Sequence, residues 1–205
     1  MKPKISVILP IHNAEKELPV LVHDCFETIC DTNTECEIVI VDNASTDATG
    51  DFAETLSLEF PQVKVLSQWH ALGIEESILK GVQQATGDFL YVYYMLSGYV
   101  FPQISFFYEA MSFTDAVLGR FLNKQGDSFV GMAMFKRQIA NILQDAVAYP
   151  EEAVAEMQAK NMRYLELRYE TDSHRKILPP NESKKSAPAF LRKRKAIVTG
   201  MTNRK

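Results

Sequence analysis

Four short apolar segments, each followed by a stretch with helical periodicity, constrain the fold of this chain more than any other feature of its sequence. The first two are rich in β-branched residues and end in polar ones, as buried parallel strands do. The four segments cover residues 5–10, 36–42, 63–66 and 89–96. Between them, apolar residues recur at the three- and four-residue spacing of amphipathic helices. This alternation predicts a doubly wound α/β sheet of parallel strands.

The second half of the chain has a less regular pattern, and its elements are shorter. The pattern predicts helices over residues 104–111, 136–148 and 150–160, and strands over residues 115–121, 128–135 and 163–169. Residues 178–188 have the composition of a loop. We therefore predict one domain over residues 1–178, followed by a basic loop and tail over residues 179–205.

The charge of the chain is unevenly distributed. Residues 181–205 contain eight Lys and Arg residues and one acidic residue, whereas the whole chain has a formal charge of −4. A basic tail can bind an anionic membrane surface, a membrane protein or a diphosphate, and a solvated terminus is the alternative. No nucleic acid is expected as a partner, because Phe190 is the only aromatic residue in the tail.

The sequence predicts a cytoplasmic protein, with a membrane-peripheral placement through the tail as the alternative. The longest apolar run, residues 89–101, is shorter than the roughly 20 residues of a membrane-spanning helix. The apolar segment near the N-terminus is too short for a signal peptide. Cys25, Cys30 and Cys36 show no metal-ligand spacing, which favours reduced thiols.

Two polar clusters at the ends of the first two strands form the predicted functional site. Pro10, His12 and Asn13 belong to the first cluster, and Asp42 and Asn43 belong to the second. Ligands bind at the carboxyl ends of strands in open α/β sheets, so we expect the clusters to lie side by side. A carboxylate there can accept hydrogen bonds from a base N–H or from ribose hydroxyls. An ordinary turn, with Asn13 capping the next helix, is the alternative for the first cluster.

Several neighbouring residues are expected to have structural roles. Ser45, Thr46 and Asp47 would cap the helix that follows the second strand, and Phe52 would be buried by that helix. Trp69 would cover the edge of the core; stacking on a sugar is the alternative. No glycine-rich dinucleotide fingerprint follows the first strand and no P-loop motif occurs, which argues against hydride transfer and P-loop phosphoryl transfer.

Three segments in order resemble the signature of family 2 glycosyltransferases, which are GT-A-fold enzymes that use nucleotide-diphosphate sugars. The segments are ISVILPIHNAEKELPVLV, EIVIVDNASTDAT and LGIEESILKGVQQATGDFLYVY. The resemblance implies a GT-A fold, with a doubly wound mixed sheet in three α/β/α layers. The nucleotide-binding residues expected on this basis are Pro10, His12, Asn13, Asp42, Asn43, Gly73 and Lys80.

Later segments resemble the dolichyl-phosphate mannosyltransferase-like branch of that family. They are DAVLGRF, DSFVGMAMFKRQ and HRKILPPNESKK. The resemblance makes Asp127 the expected catalytic base for an acceptor hydroxyl; the alternative is a turn residue at the start of a strand. It also places Arg175, Ser183 and Lys184 in a loop that folds over the diphosphate, where the two cations would neutralise the leaving group.

The position of the family's D-x-D motif has no carboxylate in this chain. Counted from Gly87 and Asp88, the two acidic positions are occupied by Tyr94 and Leu96. In the family these carboxylates bind the Mg²⁺ or Mn²⁺ that bridges the diphosphate, and such hard cations require oxygen ligands. We therefore predict no metal here, although the family implies Mg or Mn. A metal-free route would need cations such as Lys80 at the diphosphate.

Two functions follow from the sequence. The first is a family 2-like glycosyltransferase domain that transfers the sugar of a nucleotide-diphosphate sugar to an acceptor hydroxyl or a lipid phosphate. The alternative is a catalytically degenerate GT-A-fold protein that serves as a nucleotide-binding or protein-interaction module. The Tyr94-Met95-Leu96 replacement and the six residues between Arg120 and Asp127 favour the alternative. The first function is favoured by the polar residues that match the family in the later segments: Asp127, Arg175, Ser183 and Lys184.

Overall fold

Eight strands form a mixed sheet in the computed structural model of the chain. The structure describes residues 2–30, 32–94, 103–122 and 127–170, and the backbone of residues 197–198. The strands are β1 (Lys4–Ile11), β2 (Glu35–Asp42), β3 (Val63–Ser67), β4 (Phe89–Tyr93), β5 (Ala116–Leu122), β6 (Ser128–Lys136), β7 (Tyr164–Glu170) and β8 (Ile197–Val198). Their order across the sheet is β3-β2-β1-β4-β6-β5-β7-β8.

Helices cover both faces of this sheet and bury one apolar core on each side. One face packs against α1 (Leu18–Cys30), α2 (Thr49–Glu59) and α4 (Ile104–Ala110). The other packs against α3 (Ile74–Gln84), α5 (Arg137–Leu143), a 3-10 helix (Gln144–Ala148) and α6 (Pro150–Ala159). Alternating residues of β1 supply both cores, with Val7 and Leu9 on the first face and Ile8 on the second. The predicted three-layer arrangement is confirmed.

The strand directions bring most strand ends to one edge of the sheet. Strands β1 to β4 are mutually parallel, β6 is antiparallel to both β4 and β5, and β5 is parallel to β7. Strands β1–β5 and β7 therefore end at the same edge, which we call the carboxyl edge, and β6 begins there. The expectation of purely parallel strands is wrong for β6 and β8, and the mixed sheet implied by the resemblance is confirmed.

Three local expectations differ from the structure. Phe52 is 41% exposed, because α2 turns Thr49 and Ala53 towards the sheet instead. Trp69 is fully exposed and covers no core. The helix predicted over residues 136–148 is divided at Gln144, whose positive φ of 50° ends α5 before the 3-10 helix begins.

Part of the predicted organisation falls outside the described residues. The boundary between residues 178 and 179 and the basic residues of the tail both do so, and the division into domain and tail stays a prediction. Within the described ranges, no helix has the length and apolar character needed to cross a bilayer.

The opposite edge of the sheet is held by a buried carboxylate. Glu37 of β2 is 2% exposed and accepts hydrogen bonds from Ser6 Oγ at 2.6 Å and from the Thr86 backbone N–H at 2.5 Å. It also contacts Lys4 Nζ at 2.9 Å and Lys64 Nζ at 2.8 Å. Burial acts to raise the pKa of Glu37, but the hydrogen bonds from Lys64 and Ser6 outweigh it and hold the pKa well below its usual range.

The turn before β4 is bound to the same edge through Gly87. Its N–H donates to Ser6 Oγ at 2.7 Å, and its carbonyl accepts from Arg137 Nε at 2.5 Å. A Cβ at this position would stand 2.6 Å from Ser6 Oγ and 2.7 Å from the Lys4 carbonyl oxygen, so only glycine fits. The Asp88 N–H donates to that Lys4 carbonyl at 2.7 Å. The Gly-Asp pair thus sets the start of β4 against β1.

Replacing Glu37 should weaken the fold in a pH-dependent way. The carboxylate is stabilised in the folded state, so its contribution is complete above the unfolded pKa of about 4.3 and is lost as pH falls below that value. We expect E37Q to lower the free energy of unfolding by about 1 to 3 kcal/mol at pH 7, with a difference from wild type that shrinks below about pH 4. Urea denaturation at several pH values measures this. E35Q, at an exposed position of the same strand, is the control; equal stability of E37Q and E35Q at pH 7 would contradict the account.

Candidate functional site

The pairing of β1, β2 and β3 aligns three strand ends at the carboxyl edge. Ile11 lies opposite Asp42, and Asp42 lies opposite Ser67. Beyond these pairs, the Asn43 N–H donates to the Ile11 carbonyl at 2.8 Å, and the Gln68 N–H donates to the Asp42 carbonyl at 2.9 Å. Three segments therefore leave the sheet side by side. We call them the first loop (residues 12–17), the second loop (residues 43–48) and the third loop (residues 68–73).

Asn43 connects all three loops. Its side chain is buried, and its Oδ1 accepts a hydrogen bond from the Leu72 N–H in the third loop at 2.8 Å. Its carbonyl is 2.9 Å from Nδ1 of His12 in the first loop. Because a carbonyl oxygen only accepts, Nδ1 carries the proton, and Nε2 of the neutral ring accepts from Asn13 Nδ2 at 3.2 Å. The ring of His12 is thereby oriented through both nitrogens.

Asn13 fastens the first loop to the second. Its φ of 48° lies in the left-handed region, which Asn tolerates better than most residues. Its backbone N–H donates to Ser45 Oγ at 2.9 Å, and its Oδ1 accepts from the Thr46 N–H at 2.8 Å. The side chain is therefore committed to the second loop, and the alternative in which Asn13 caps α1 is wrong.

Asp42 is buried, with one carboxylate oxygen bonded to Ser45 and the other without a hydrogen-bond donor among the described residues. The residue is 6% exposed, and its Oδ1 accepts from the Ser45 N–H at 3.0 Å and from Ser45 Oγ at 2.5 Å. Its Oδ2 lies beside Gly50, where a Cβ would stand 3.4 Å away. Among the described residues, no hydrogen-bond donor reaches Oδ2. A buried carboxylate in this arrangement can accept a hydrogen bond from a ribose hydroxyl or a base N–H.

Side chains near the start of α2 connect the first and second loops more than they cap the helix. Of the three residues expected to cap the helix, only Asp47 bonds to its first turn, where it accepts from the Thr49 N–H at 3.0 Å. The Ala14 N–H donates to Thr49 Oγ1 at 2.7 Å, and the Ala48 N–H donates to Glu15 Oε2 at 3.2 Å. None of these cross-loop contacts was predicted. The available signal was the density of Ser and Thr after Asp42, which suits local side-chain to backbone bonding.

We call the three loops together the cradle, and the other predicted nucleotide-binding residues lie in it or in the elements that adjoin it. Pro10 is buried inside β1 opposite Val41, one residue before the strand ends. Gly73 precedes α3 with φ of 91°, a conformation that favours glycine, and its carbonyl accepts from Ser77 Oγ at 2.8 Å. Lys80 is half-buried in α3, about 9 Å along the helix axis from its first residue. Their roles toward a nucleotide stay predictions.

Asp127, the predicted catalytic base, lies at the same edge of the sheet. It is exposed and directly precedes β6, which begins at the carboxyl edge because it runs against its neighbours. The first residue of β6, Ser128, pairs with Leu122 at the end of β5. Leu96 of the motif position and the predicted diphosphate residues Arg175, Ser183 and Lys184 lie outside the described residues.

Tyr94, at the position of the first metal-binding carboxylate, is part of the core. Its side chain is 8% exposed, and its hydroxyl donates to the Val147 carbonyl in the 3-10 helix at 2.6 Å. Burial raises the pKa of the Tyr94 phenol well above its usual value, so the oxygen stays protonated. A protonated phenol already used as a donor is not a ligand for Mg²⁺ or Mn²⁺. The described residues at this position therefore do not fit the metal that the family implies.

Within the described ranges, one group of His, Asp and Glu side chains has ligand atoms close enough to share an ion. It consists of His23, Asp24 and Glu27 on α1, with ligand atoms within 4.8 Å of one another. Exposed groups of this kind are common without an ion, and this one is built on a helix rather than on the loops that form the cradle.

One protein family matches nearly the whole chain. The model of Glycosyl transferase family 2 matches residues 6–197. The chain therefore belongs to family 2 of the glycosyltransferases, and the resemblance inferred from its motifs is confirmed.

Two curated relatives are similar to part of this chain, and the similarity covers only a fraction of their own length. The dolichol-phosphate mannosyltransferase of Pyrococcus furiosus is 34% identical over 85 residues, which are 42% of this chain and 23% of that protein. The prophage bactoprenol glucosyl transferase homolog of Escherichia coli is 33% identical over 85 residues, 42% of this chain and 28% of that protein. The similarity thus covers about a quarter of each relative.

Two solved structures share the fold. Glucosyl-3-phosphoglycerate synthase from Mycobacterium tuberculosis, in complex with Mn²⁺, UDP and glucosyl-3-phosphoglycerate, aligns with a TM-score of 0.60 and 15% identity over 88% of this chain and 74% of that chain. The mannosyltransferase PcManGT from Pyrobaculum calidifontis, in complex with GDP-Man and Mn²⁺, aligns with a TM-score of 0.57 and 16% identity over 80% of this chain and 54% of that chain. At this identity the alignments establish the GT-A fold.

Removing the Tyr94 hydroxyl should reveal its structural role. Y94F leaves the Val147 carbonyl without its donor, and we expect a loss of about 1 to 3 kcal/mol in the free energy of unfolding. Y94D, which restores the family's residue type, should lose more because it buries a charge in the core. Urea denaturation measures both. Y149F, which removes a hydroxyl from a 40% exposed tyrosine nearby, is the control; a Y94F variant as stable as Y149F would contradict this role.

Proposed function

We propose that this chain binds a nucleotide-diphosphate sugar at the carboxyl edge and transfers the sugar to an acceptor. The observation that carries the proposal is the Asp42 carboxylate, held by Ser45 through Oδ1 and without a donor at Oδ2 among the described residues. It lies where ligands of open α/β sheets bind. The family to which the chain belongs transfers glycosyl groups, and the curated relatives are named for mannosyl and glucosyl transfer.

The nucleoside is the part of the donor that the described residues suit best. Asp42 Oδ2 would accept a hydrogen bond from a ribose hydroxyl or a base N–H. Asn13, His12 and Asn43 are bonded to one another, so they would present a preformed surface beside it. A preformed site loses little conformational entropy on binding, which favours affinity.

The diphosphate would be neutralised by side chains instead of by a metal ion at the D-x-D position. The candidates are Lys80, whose helix begins at the third loop, and Arg175 and Lys184, with Ser183 beside them as a hydroxyl donor. Arg and Lys form strong charge-assisted hydrogen bonds with phosphate oxygens. Charge placed on the leaving nucleoside diphosphate is thereby stabilised as the bond to the sugar breaks.

Transfer to a hydroxyl requires a base for one proton. The acceptor oxygen attacks the anomeric carbon, the bond from that carbon to the phosphate oxygen breaks, and the nucleoside diphosphate leaves with the electron pair. Asp127 would take the acceptor proton. A lipid phosphate acceptor is already anionic and would need no base. A transfer rate that depends on Asp127 would therefore indicate a hydroxyl acceptor, and one that does not would indicate a lipid phosphate.

A non-catalytic GT-A module is the alternative, and one observation favours it. The burial of Tyr94 removes a metal ligand on which the family's chemistry ordinarily relies. The names of the curated relatives all describe glycosyl transfer and favour catalysis. We further propose a cytoplasmic protein whose basic tail, residues 179–205, contacts an anionic membrane surface or a membrane protein.

Replacing Asp42 should weaken donor binding. D42N keeps the shape of the side chain but removes the charge, and we expect UDP-, GDP- or dTDP-sugar affinity to fall by about 10- to 100-fold, equal to about 1.4 to 2.8 kcal/mol. Isothermal titration of each donor measures the change. D51N, on the first turn of α2, is the control and should bind as wild type does. Wild-type protein that binds none of these donors at millimolar concentration would remove the proposed function.

Replacing Asp127 should separate catalysis from binding. We expect D127N to keep the donor affinity of wild type within twofold, while release of the nucleoside diphosphate slows by about 10² to 10⁴-fold with alcohols and methyl pyranosides as acceptors. S128A, at the next exposed position, should change neither quantity. A D127N rate close to that of wild type would instead identify Asp127 as the turn residue that starts β6.

A further inference from the structure

Three aromatic rings form a ladder across β6, β5 and β7 at the carboxyl edge. Phe121 pairs with Phe129 across β5 and β6, and with Tyr169 across β5 and β7. The rings of Phe121 and Phe129 stack with centroids 5.5 Å apart and planes 22° apart. Those of Phe121 and Tyr169 stack with centroids 5.1 Å apart and planes 20° apart. We call these residues the aromatic ladder.

An irregularity in β6 is what brings Phe129 into the ladder. Gly119 pairs with Met132 but Arg120 pairs with Val130, so Gly131 is an extra residue in β6. Such a bulge shifts the side-chain alternation by one position. Without it, Phe129 would face the opposite side of the sheet from Met132; with it, Phe129 joins the face on which Phe121 lies.

Glycine at the bulge also makes room for the stacked rings. A Cβ at position 131 would stand 2.6 Å from Cε2 of Phe121 and 3.5 Å from Cε2 of Phe129. The central ring, Phe121, is 6% exposed, whereas Phe129 is 45% exposed. The centre of the ladder is therefore buried against the core, and Phe129 at one end is partly exposed to solvent while stacked on the central ring.

The exposed ring has one polar residue beside it at this end of the strand. Asp127 is exposed and precedes Phe129 by two residues, the spacing that puts side chains of an extended chain on the same side. Ser128 and Arg120 lie on the opposite face of the sheet, where Arg120 extends to within 3.5 Å of Ser128 Oγ and pairs with Glu151 of α6 at 2.6 and 2.9 Å. A lipid chain would need a continuous apolar surface. A single exposed ring with a carboxylate two residues earlier on the chain suits a sugar, whose C–H face is apolar and whose rim is polar.

We propose that Phe129 is an acceptor-binding residue on which the pyranose ring of an acceptor saccharide stacks. The weakly positive C–H groups of the sugar would lie on the negative face of the Phe129 ring. Asp127, two residues earlier and directly before β6, would meet a hydroxyl at the rim of that sugar. The proposal rests on the proposed function, and it selects a saccharide hydroxyl over a lipid phosphate as the acceptor.

Saturation-transfer NMR of the full 205-residue chain with methyl β-glucoside, methyl α-mannoside and methyl N-acetyl-β-glucosaminide tests this inference. With wild-type protein, we expect the transferred saturation to be strongest at the axial ring protons of the pyranoside. With F129A, this signal should fall at least fivefold. F129L keeps an apolar side chain without a ring face, and it should lose the signal as well. F113A removes another exposed phenylalanine, 46% exposed and outside the ladder, and should keep it. Thermal unfolding of each variant shows that the fold is retained.

Three outcomes would overturn the inference. They are no pyranoside signal from wild type, a signal equal in wild type and F129A, and a signal that F129L retains in full. Binding to vesicles of phosphatidylglycerol that is lost in F129A, without any pyranoside signal, would assign the ring to lipid instead. Donor titration is a separate measurement: donor binding without pyranoside contact defeats this inference alone, whereas absent donor binding defeats the proposed function.

Discussion

The parallel pairing of β1 with β2 is the constraint on which the rest of the site depends. It sets Ile11 opposite Asp42, and the Asn43 N–H then continues the ladder to the Ile11 carbonyl. Every contact between the first and second loops follows from this register, because a shift of one residue would turn Asp42 to the other face of the sheet. The cradle is thus a consequence of strand pairing, and the Ser and Asn side chains of the loops make it rigid.

The two edges of the sheet have separate physical roles. At one edge, Glu37 and Gly87 hold the starts of β1, β2 and β4 together through buried hydrogen bonds. At the carboxyl edge, Tyr94 stands where the family has an acidic residue, and this difference does not affect the hydrogen bonds at the opposite edge. Its phenol gains a partner in Val147 and adds to the second core. A tyrosine at this position is therefore compatible with an intact fold, and the proposed transfer would rely on side-chain cations.

The sequence was sufficient to predict the alternation of strands and helices, since hydrophobic periodicity is local and each strand is short and apolar. It also placed Asp42 and Asn43 at a strand end. It could not show that Asn13 bonds to Thr46, because that contact joins residues 33 apart and depends on the strand register. The glycine at position 131, inside a strand pattern, indicates a bulge in the sequence. The stacking of Phe129 on Phe121 could not be predicted, because it depends on how β6 pairs with β5. The exposure of Trp69 had no local signal.

The central claim is that the chain binds its donor without a metal ion at the D-x-D position. The most direct test is isothermal titration of the donor sugar that binds best, once in EDTA and once with Mn²⁺ in excess. The account predicts dissociation constants that agree within about twofold, because Tyr94 offers no ligand and cationic side chains act on the diphosphate. Donor binding seen only with Mn²⁺, or tightened tenfold or more by it, would contradict the account.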